Sequence, residues 1–292
     1  MIKLVGLLTI TIAVFGGFHA AGGNIATVWQ PAELVIILGA ALGALLIANP
    51  AHVIKEMLTQ LRAIARGKPN EKELYLELIG LMRTLLETIR AKGIKSVDDH
   101  IDTPQDSLLF QDYPLVLKEI HLIEFITDNV RLLSIGQISA HEIEAMLEQE
   151  IIAIEGDLKR PSKSLAKIAD ACPGFGILAA VLGIIITMGS IDSSITEVGV
   201  KVAAALVGTF AGIFLCYCFF EPLSSAMAMR VERDISALEC VKSILVAYVA
   251  SKPIILACDA GRKSIQLDAK PSFAHMEKWL EEHRPDTRRE AA

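Results

Sequence analysis

Four stretches of this chain carry apolar side chains almost without interruption: Ile2–Phe18, entered through Lys3, then Leu34–Ala48, Gly174–Gly189 and Val202–Phe220. Their cores hold no acid, lysine or arginine, and Pro173 opens the third run while Pro222 closes the fourth. A helix needs roughly 20 apolar residues to cross a bilayer, with about 17–25 workable. The third and fourth runs reach this with their flanks, and the second draws in Pro31–Glu33 or Asn49–Pro50. The first run begins like a signal peptide, with Lys3 ahead of it and small residues at Ala20–Ala21. Its apolar stretch is longer than the roughly 7–15 residues of a signal core, and a second span follows after a short loop, so it reads as a retained span.

Between the second and third runs the pattern becomes helical. Leu74, Leu78, Leu81 and Leu85 recur at helical spacing, and Gly93 supplies a stop. A second helix is expected to start near Pro114 and end by Gly136. A third starts at Ser139, with Glu142 placed for a capping box, and continues to about Arg160, where Pro161 interrupts it. The helical signal resumes from Ser164 into the third span. Residues 223–250 again read as helix, 282–292 as a disordered tail, and no segment has a strand pattern. The expected fold is therefore an all-α membrane protein with four transmembrane helices. Spans one and two occupy 1–50, a helical cytoplasmic insert 51–171, spans three and four 172–222, and a cytoplasmic C-terminal helix and tail 223–292.

Charge sets the expected orientation. The loop Ala20–Glu33 has no lysine or arginine, and Ser190–Lys201 has one. Lys55, Arg62, Arg66 and Lys68 follow span two, Lys159, Arg160, Lys163 and Lys167 precede span three, and Arg230 and Arg233 follow span four. Basic residues mark the cytoplasmic side, which puts the insert and both termini inside. A composition that is 52% hydrophobic with a net charge of −6 suits a membrane protein with a sizeable soluble part and gives no reason to expect nucleic acid binding. The five cysteines match no metal spacing, and Cys216 and Cys218 lie inside a span, so they read as small apolar fillers. There is no phosphate loop, no HExxH and no GxSxG, and the seven histidines are scattered, with His19 an interfacial residue near lipid. No enzyme, cofactor or metal site is indicated.

The spans carry small residues four apart: Gly39 and Gly43, Gly176 and Ala180, Ala179 and Gly183, Gly208 and Gly212. Such pairs let helix backbones approach where lipid supplies no hydrophobic drive, and their repetition favours a tight bundle or oligomer. A protein that moves ions through lipid normally needs an ionisable group there. The cores of these runs have none, so a partner is expected to bring the carboxylate.

The segments "QPAELVIILGA" (Gln30–Ala40), "PGFGILAAVLG" (Pro173–Gly183) and "VGTFAGIFLCYCFFEPL" (Val207–Leu223) resemble the MotA/PomA family of flagellar stator proteins, as does "GRKSIQLDAKPSF" at Gly261–Phe273. The likeness extends over nearly the whole chain. It implies a homo-oligomer, a pentamer, in the bacterial inner membrane around a dimer of a MotB-type single-span protein whose essential aspartate binds the ion, and torque delivered to the rotor switch protein FliG. It also implies roles for particular residues. Pro173 and Pro222 match the family's two functional prolines; alone, each would read as a helix-end marker. Thr209 matches the threonine facing the ion path, with a back-bond to its own helix as the plainer alternative. Ala180 stands where proton-driven members have alanine and sodium-driven members threonine, and an apolar methyl offers a hard cation no oxygen, so protons are favoured over sodium. Arg90 matches a rotor-contacting arginine, although a last-turn cation with Glu87 three residues away also suits the helix dipole. Asp98 replaces a frequent glutamate and has Asp99 beside it, and Glu150 is a further rotor candidate that a solvated helix face would also explain. The alternatives are an ExbB/TolQ-like energiser of envelope processes and a non-conducting membrane scaffold. A secondary transporter fits less well, because no inverted repeat or intramembrane charge is apparent.

Overall fold

The computed structural model describes residues 2–66, 70–135, 138–189 and 194–283. Gly136, Lys68 and the tail after residue 283 lie outside the described residues, so the helix end expected at Gly136 and the expected disordered tail are not part of the description. In chain order the principal helices are α1 (Ile2–Thr11), α2 (Pro31–Ala48), α3 (Ala51–Arg66), α4 (Glu71–Lys92), α5 (Ile120–Ile135), α6 (Ala140–Leu158), α7 (Arg160–Met188), α8 (Ile195–Leu215), α9 (Glu221–Val249), α10 (Ile254–Ser264) and α11 (Phe273–Glu282). Among the described residues there is no strand. Helix α1 runs on through a π-helical turn, Ile12–Gly16, and a last turn, Gly17–Ala20. Helices long and apolar enough to cross a membrane lie within Ile25–Ala48, Ala140–Met188 and Ile195–Val249, with Val5–Ala20 a shorter apolar helix.

The chain forms two compact units, Met1–Ala65 with Lys159–Met229, and Arg66–Leu158 with Arg230–Ala292. In the first, α2 packs on α7 and α8 through a stripe four residues apart, Glu33, Ile37 and Ala41. Ile37 meets Ala179 and Ala211, and Ala41 meets Ile168, Ala169, Cys172 and Cys216. The N-terminal helical run joins through Phe15, whose ring stands edge-on to Phe214 at 5.4 Å and to Phe210 at 6.3 Å. The outward faces are apolar: Leu38, Leu42, Ile47, Ile184, Ile185, Ile186 and Leu206 are all exposed. That is the inverse of a soluble fold and fits lipid or further subunits around this unit.

The second unit is a soluble-type core built on α4. Leu78, Leu81 and Leu85 are fully buried, as their spacing predicts. Gly93 ends the helix with φ +86°, a conformation that favours glycine, and its N–H returns to the Ile89 carbonyl. The capping box forms as read: the Ser139 N–H donates to Glu142 Oε2 at 2.9 Å, and the Glu142 N–H donates to Ser139 Oγ at 3.2 Å. Pro114 opens only a one-turn helix, Pro114–Leu117, and α5 begins anew at Ile120. In one unbroken helix Val116 would share its face with Ile120. The break instead leaves Ile120 exposed and brings Leu122 and Ile123 inside beside Val116.

Two polar anchors tie this unit together. Arg83 donates from Nε to Glu87 Oε1 at 2.7 Å and from its guanidinium to the Leu280 carbonyl at 3.0 Å, fixing α11 on α4. Glu77, buried, accepts the Leu115 N–H at 2.8 Å. Gly80 makes the close approach possible, since a Cβ there would lie 2.6 Å from the Trp279 ring and 2.9 Å from that of Tyr113.

Two outcomes follow from this core. Gly80→Ala overpacks the contact with Trp279 and is expected to lower stability by about 1–3 kcal/mol, read as a lower melting temperature of the full chain in detergent; an unchanged value would show that the rings give way freely. Burial pushes the Glu77 carboxyl above its ordinary 4.5, with the Leu115 and Val116 N–H groups pulling the other way. A value raised on folding favours the neutral acid, so the stability it brings is present below the unfolded value and is lost as pH rises through the folded one. The stability of wild type relative to Glu77→Gln therefore falls as pH climbs above 4.5, and a flat difference over that range would contradict the burial account.

Candidate functional site

In the first unit α7 and α8 cross with backbone against backbone. A Cβ on Gly176 would lie 2.8 Å from the Gly208 carbonyl oxygen and 3.1 Å from the Gly212 Cα, and one on Gly212 would lie 2.6 Å from the Cys172 carbonyl oxygen. A Cβ on Gly183 would stand 3.0 Å from Ala205 Cβ, and one on Gly208 would stand 3.3 Å from Ala179 Cβ and the Ala180 nitrogen. The small-residue pairs read from the third and fourth spans therefore form one seam of backbone on backbone. The pair in the second span does not join it, because nothing lies within 4 Å of a Cβ on Gly39 or Gly43. Helix α2 docks instead through the Glu33–Ile37–Ala41 stripe, which faces away from Gly39.

The four ion-path candidates all belong to this unit. Pro173 lies inside α7 and is half-buried. Having no N–H, it leaves the buried Ala169 carbonyl without its intrahelical donor. The next carbonyl before the proline ring, that of Cys172, is the one pressed toward Gly212. Ala180 is buried on the seam beside Gly208. Thr209 follows Gly208 on α8 and is half-buried. Its hydroxyl has no hydrogen-bond partner among the described residues, so it does not make the back-bond that Thr187 makes to the Gly183 carbonyl at 2.8 Å. Pro222 is exposed and ends the apolar run but not the helix, since α9 continues through it to Val249. The helix accommodates the missing donor by widening into a π-helical turn, Cys216–Phe220, just before it.

The rotor candidates belong to the second unit, and among the described residues no hydrogen bond or ion pair joins them to one another. Arg90 is exposed in the last turn of α4, and its expected neighbour Glu87 is engaged by Arg83 one turn back. Asp98, half-buried, starts the short helix Asp98–Asp102, while Asp99 beside it is exposed. Glu150 is not a freely solvated acid: its Oε2 accepts from Nδ2 of the buried Asn129 at 2.9 Å.

Sequence reading missed one polar group in the membrane unit. Glu33 was counted as the flank of the second span, yet it lies in the first turn of α2 and is only 8% exposed. Among the described residues its Oε2 has no hydrogen-bond partner. The signal was present in its spacing, four and eight residues before Ile37 and Ala41 on the buried stripe.

Residues 4–93 match the family model described as Motility protein A N-terminal, and residues 118–240 match the MotA/TolQ/ExbB proton channel family. The chain is 58% identical to chemotaxis protein LafT of Vibrio parahaemolyticus, over 97% of this chain and 99% of the relative. It is 35% identical to motility protein A of Escherichia coli, over 96% of this chain and 95% of the relative. The fold is similar to that in the structure of C. jejuni MotAB, with a TM-score of 0.65 at 17% identity over 98% of this chain and 97% of that one. It is also similar to that in the flagellar MotAB stator complex from Bacillus subtilis, with a TM-score of 0.66 at 20% identity over 94% of this chain and 98% of that one.

The seam yields a direct test. A methyl at Gly212 meets the Cys172 carbonyl, a backbone atom that cannot swing aside. Gly212→Ala is expected to force α7 and α8 apart at a cost of about 1–3 kcal/mol, seen as faster proteolysis of the full chain in detergent. Gly39→Ala, where the space is open, serves as the control, and equal behaviour of the two variants would contradict the seam.

Proposed function

The chain belongs to the MotA family of motility proteins, and on that premise we propose that it is the ring-forming stator subunit of a flagellar motor, driven by protons. The observation that carries this reading is the α7–α8 seam. It combines glycine contacts, an interior proline and the unpartnered Thr209 hydroxyl in a unit whose outer surface is apolar. Relatives similar over nearly their full length are motility and chemotaxis proteins, and the solved structures of like fold are MotAB complexes. The protein is a multi-pass membrane protein and a non-enzymatic member of a proton channel family.

In this reading the N-terminal helical run also crosses the membrane, as the first of four spans, which its Phe15 packing against α8 supports. Both termini and the second unit face the cytoplasm of the bacterial inner membrane, as the basic residues flanking the spans favour. Five copies surround two copies of a MotB-type partner, whose aspartate takes and releases the ion against α7 and α8. Burial of that aspartate among apolar helices would favour its protonated form. Pro173 and Pro222 supply the places where the helices give as that charge changes, Thr209 offers a hydroxyl to the path, and Ala180 keeps oxygen away from a bare sodium ion. Arg90 and Asp98 meet charges on FliG, while Glu150, held by Asn129, positions α6 against α5 beneath them. Exposed pairs of this kind guide docking and register more than they add affinity. A second reading, an energiser of envelope processes, rests on the family model shared with TolQ and ExbB. The match to motility relatives along both units favours the motor.

Swimming of a stator-deleted host that expresses this chain with its partner tests the proposal. Speed is expected to be indifferent to external sodium at fixed pH and to collapse with the proton gradient. Sodium-dependent speed would overturn the assignment of the ion, and immobility with an assembled complex would overturn the motor.

A further inference from the structure

The membrane unit contains a carboxyl group that the partner-borne mechanism leaves unused. Glu33 points from the first turn of α2 into the α7–α8 crossing. A Cβ on Gly208 would lie 2.7 Å from Glu33 Oε2, and one on Gly183 would lie 3.3 Å from Oε1. Two of the seam's glycines thus also leave the room that the carboxyl occupies. The side chain is more than nine-tenths buried, and among the described residues Oε2 has no hydrogen-bond partner.

No cation faces it. On α7, from Pro173 to Met188, and on α8, from Val202 to Leu215, there is no Asp, Glu, His, Lys or Arg. The short helix Ile25–Val28, which also packs on α8, has none either. The nearest charged groups on α8, Glu197 and Lys201, precede Ala205 and pair with each other at 3.2 Å. Asp170 on α7 lies more than three turns before Gly183. A carboxylate enclosed without a counter-charge or donors is costly, whereas a carboxylic acid needs neither.

We propose that Glu33 is a second proton-binding site of the complex, carried by this chain rather than by the partner. It takes a proton from water at its end of α2, becoming a carboxylic acid, and gives the proton up again to water or to the partner's carboxylate. The charge change is that of the proton alone. This inference rests on the proton-driven reading above. It adds one titrating group per copy of this chain beside the seam that the partner's helix meets.

The test uses the complete complex with its partner. pH-difference infrared spectra of wild type should show a buried carboxyl band that is absent in Glu33→Gln and restored, displaced, in Glu33→Asp. Wild type and both variants should co-purify with the partner at similar yield. Swimming speed of Glu33→Gln should drop several-fold and lose its dependence on external pH, with Glu33→Asp intermediate. A band unchanged in Glu33→Gln, together with wild-type speed at every pH, would overturn the site while leaving the stator reading intact. Wild-type immobility would instead count against the stator reading itself. Should Glu33→Gln fail to accumulate, Glu33→Asp decides: a buried band displaced from its wild-type position supports Glu33, and a band that stays in place overturns it.

Discussion

Contact of backbone with backbone between α7 and α8 is the constraint on which the membrane unit depends. Lipid is as apolar as leucine, so helices in it are held by close packing rather than by a drive to escape water. Gly176, Gly208 and Gly212 remove the side chains that would otherwise separate the two helices. The same seam fixes where Pro173 interrupts the hydrogen-bond ladder and where Ala180 is buried, with Thr209 next to the seam glycine Gly208. It also leaves the two gaps that Glu33 fills. A single side chain added to the seam would therefore disturb the packing, the proline level and the carboxyl together.

The two units obey different solvents. The second hides Leu78, Leu81, Phe110 and Phe125 and shows charge, which is the pattern of a protein in water. Its polar groups are closed off by partners such as Arg83 with Glu87 and Leu280, or Asp259 with Arg262 and Lys263. At Asp259 burial pushes the carboxyl up, but the two cations outweigh it and hold it below its ordinary value. The first unit shows its large aliphatics outward and keeps its small residues within. The four ion-path candidates lie in the first unit and the rotor candidates Arg90, Asp98 and Glu150 in the second.

Much of this was legible in the sequence, and the exceptions have physical causes. The capping box at Ser139 and Glu142, the stop at Gly93 and the glycine pairs of the third and fourth spans follow from local rules and were read correctly. The pair Gly39 and Gly43 follows the same rule yet faces open space, because spacing says which residues share a face and not which face is used. Arg90 and Glu87 were paired by spacing, but Arg83 lies one turn closer to the C-terminal helix and holds Glu87 there. Glu33 was missed because hydropathy counts a charged residue at the head of an apolar run as its boundary. Its spacing puts it on one face with Ile37 and Ala41, and the positions of Gly183 and Gly208 on two other helices show that this face is inside. The candidate ion-path residues were legible through resemblance, while their surroundings needed the fold.

The central claim is that the α7–α8 face bearing Thr209 meets the partner's span. Disulfide cross-linking in the assembled complex tests it most directly, with native cysteines replaced, one cysteine at Thr209 and others placed in turn along the partner's helix around its aspartate. The account predicts cross-links that recur at helical spacing along the partner, and none from a cysteine at Leu42 on the outward face of α2. Cross-links to the partner from Leu42 and none from Thr209 would contradict it.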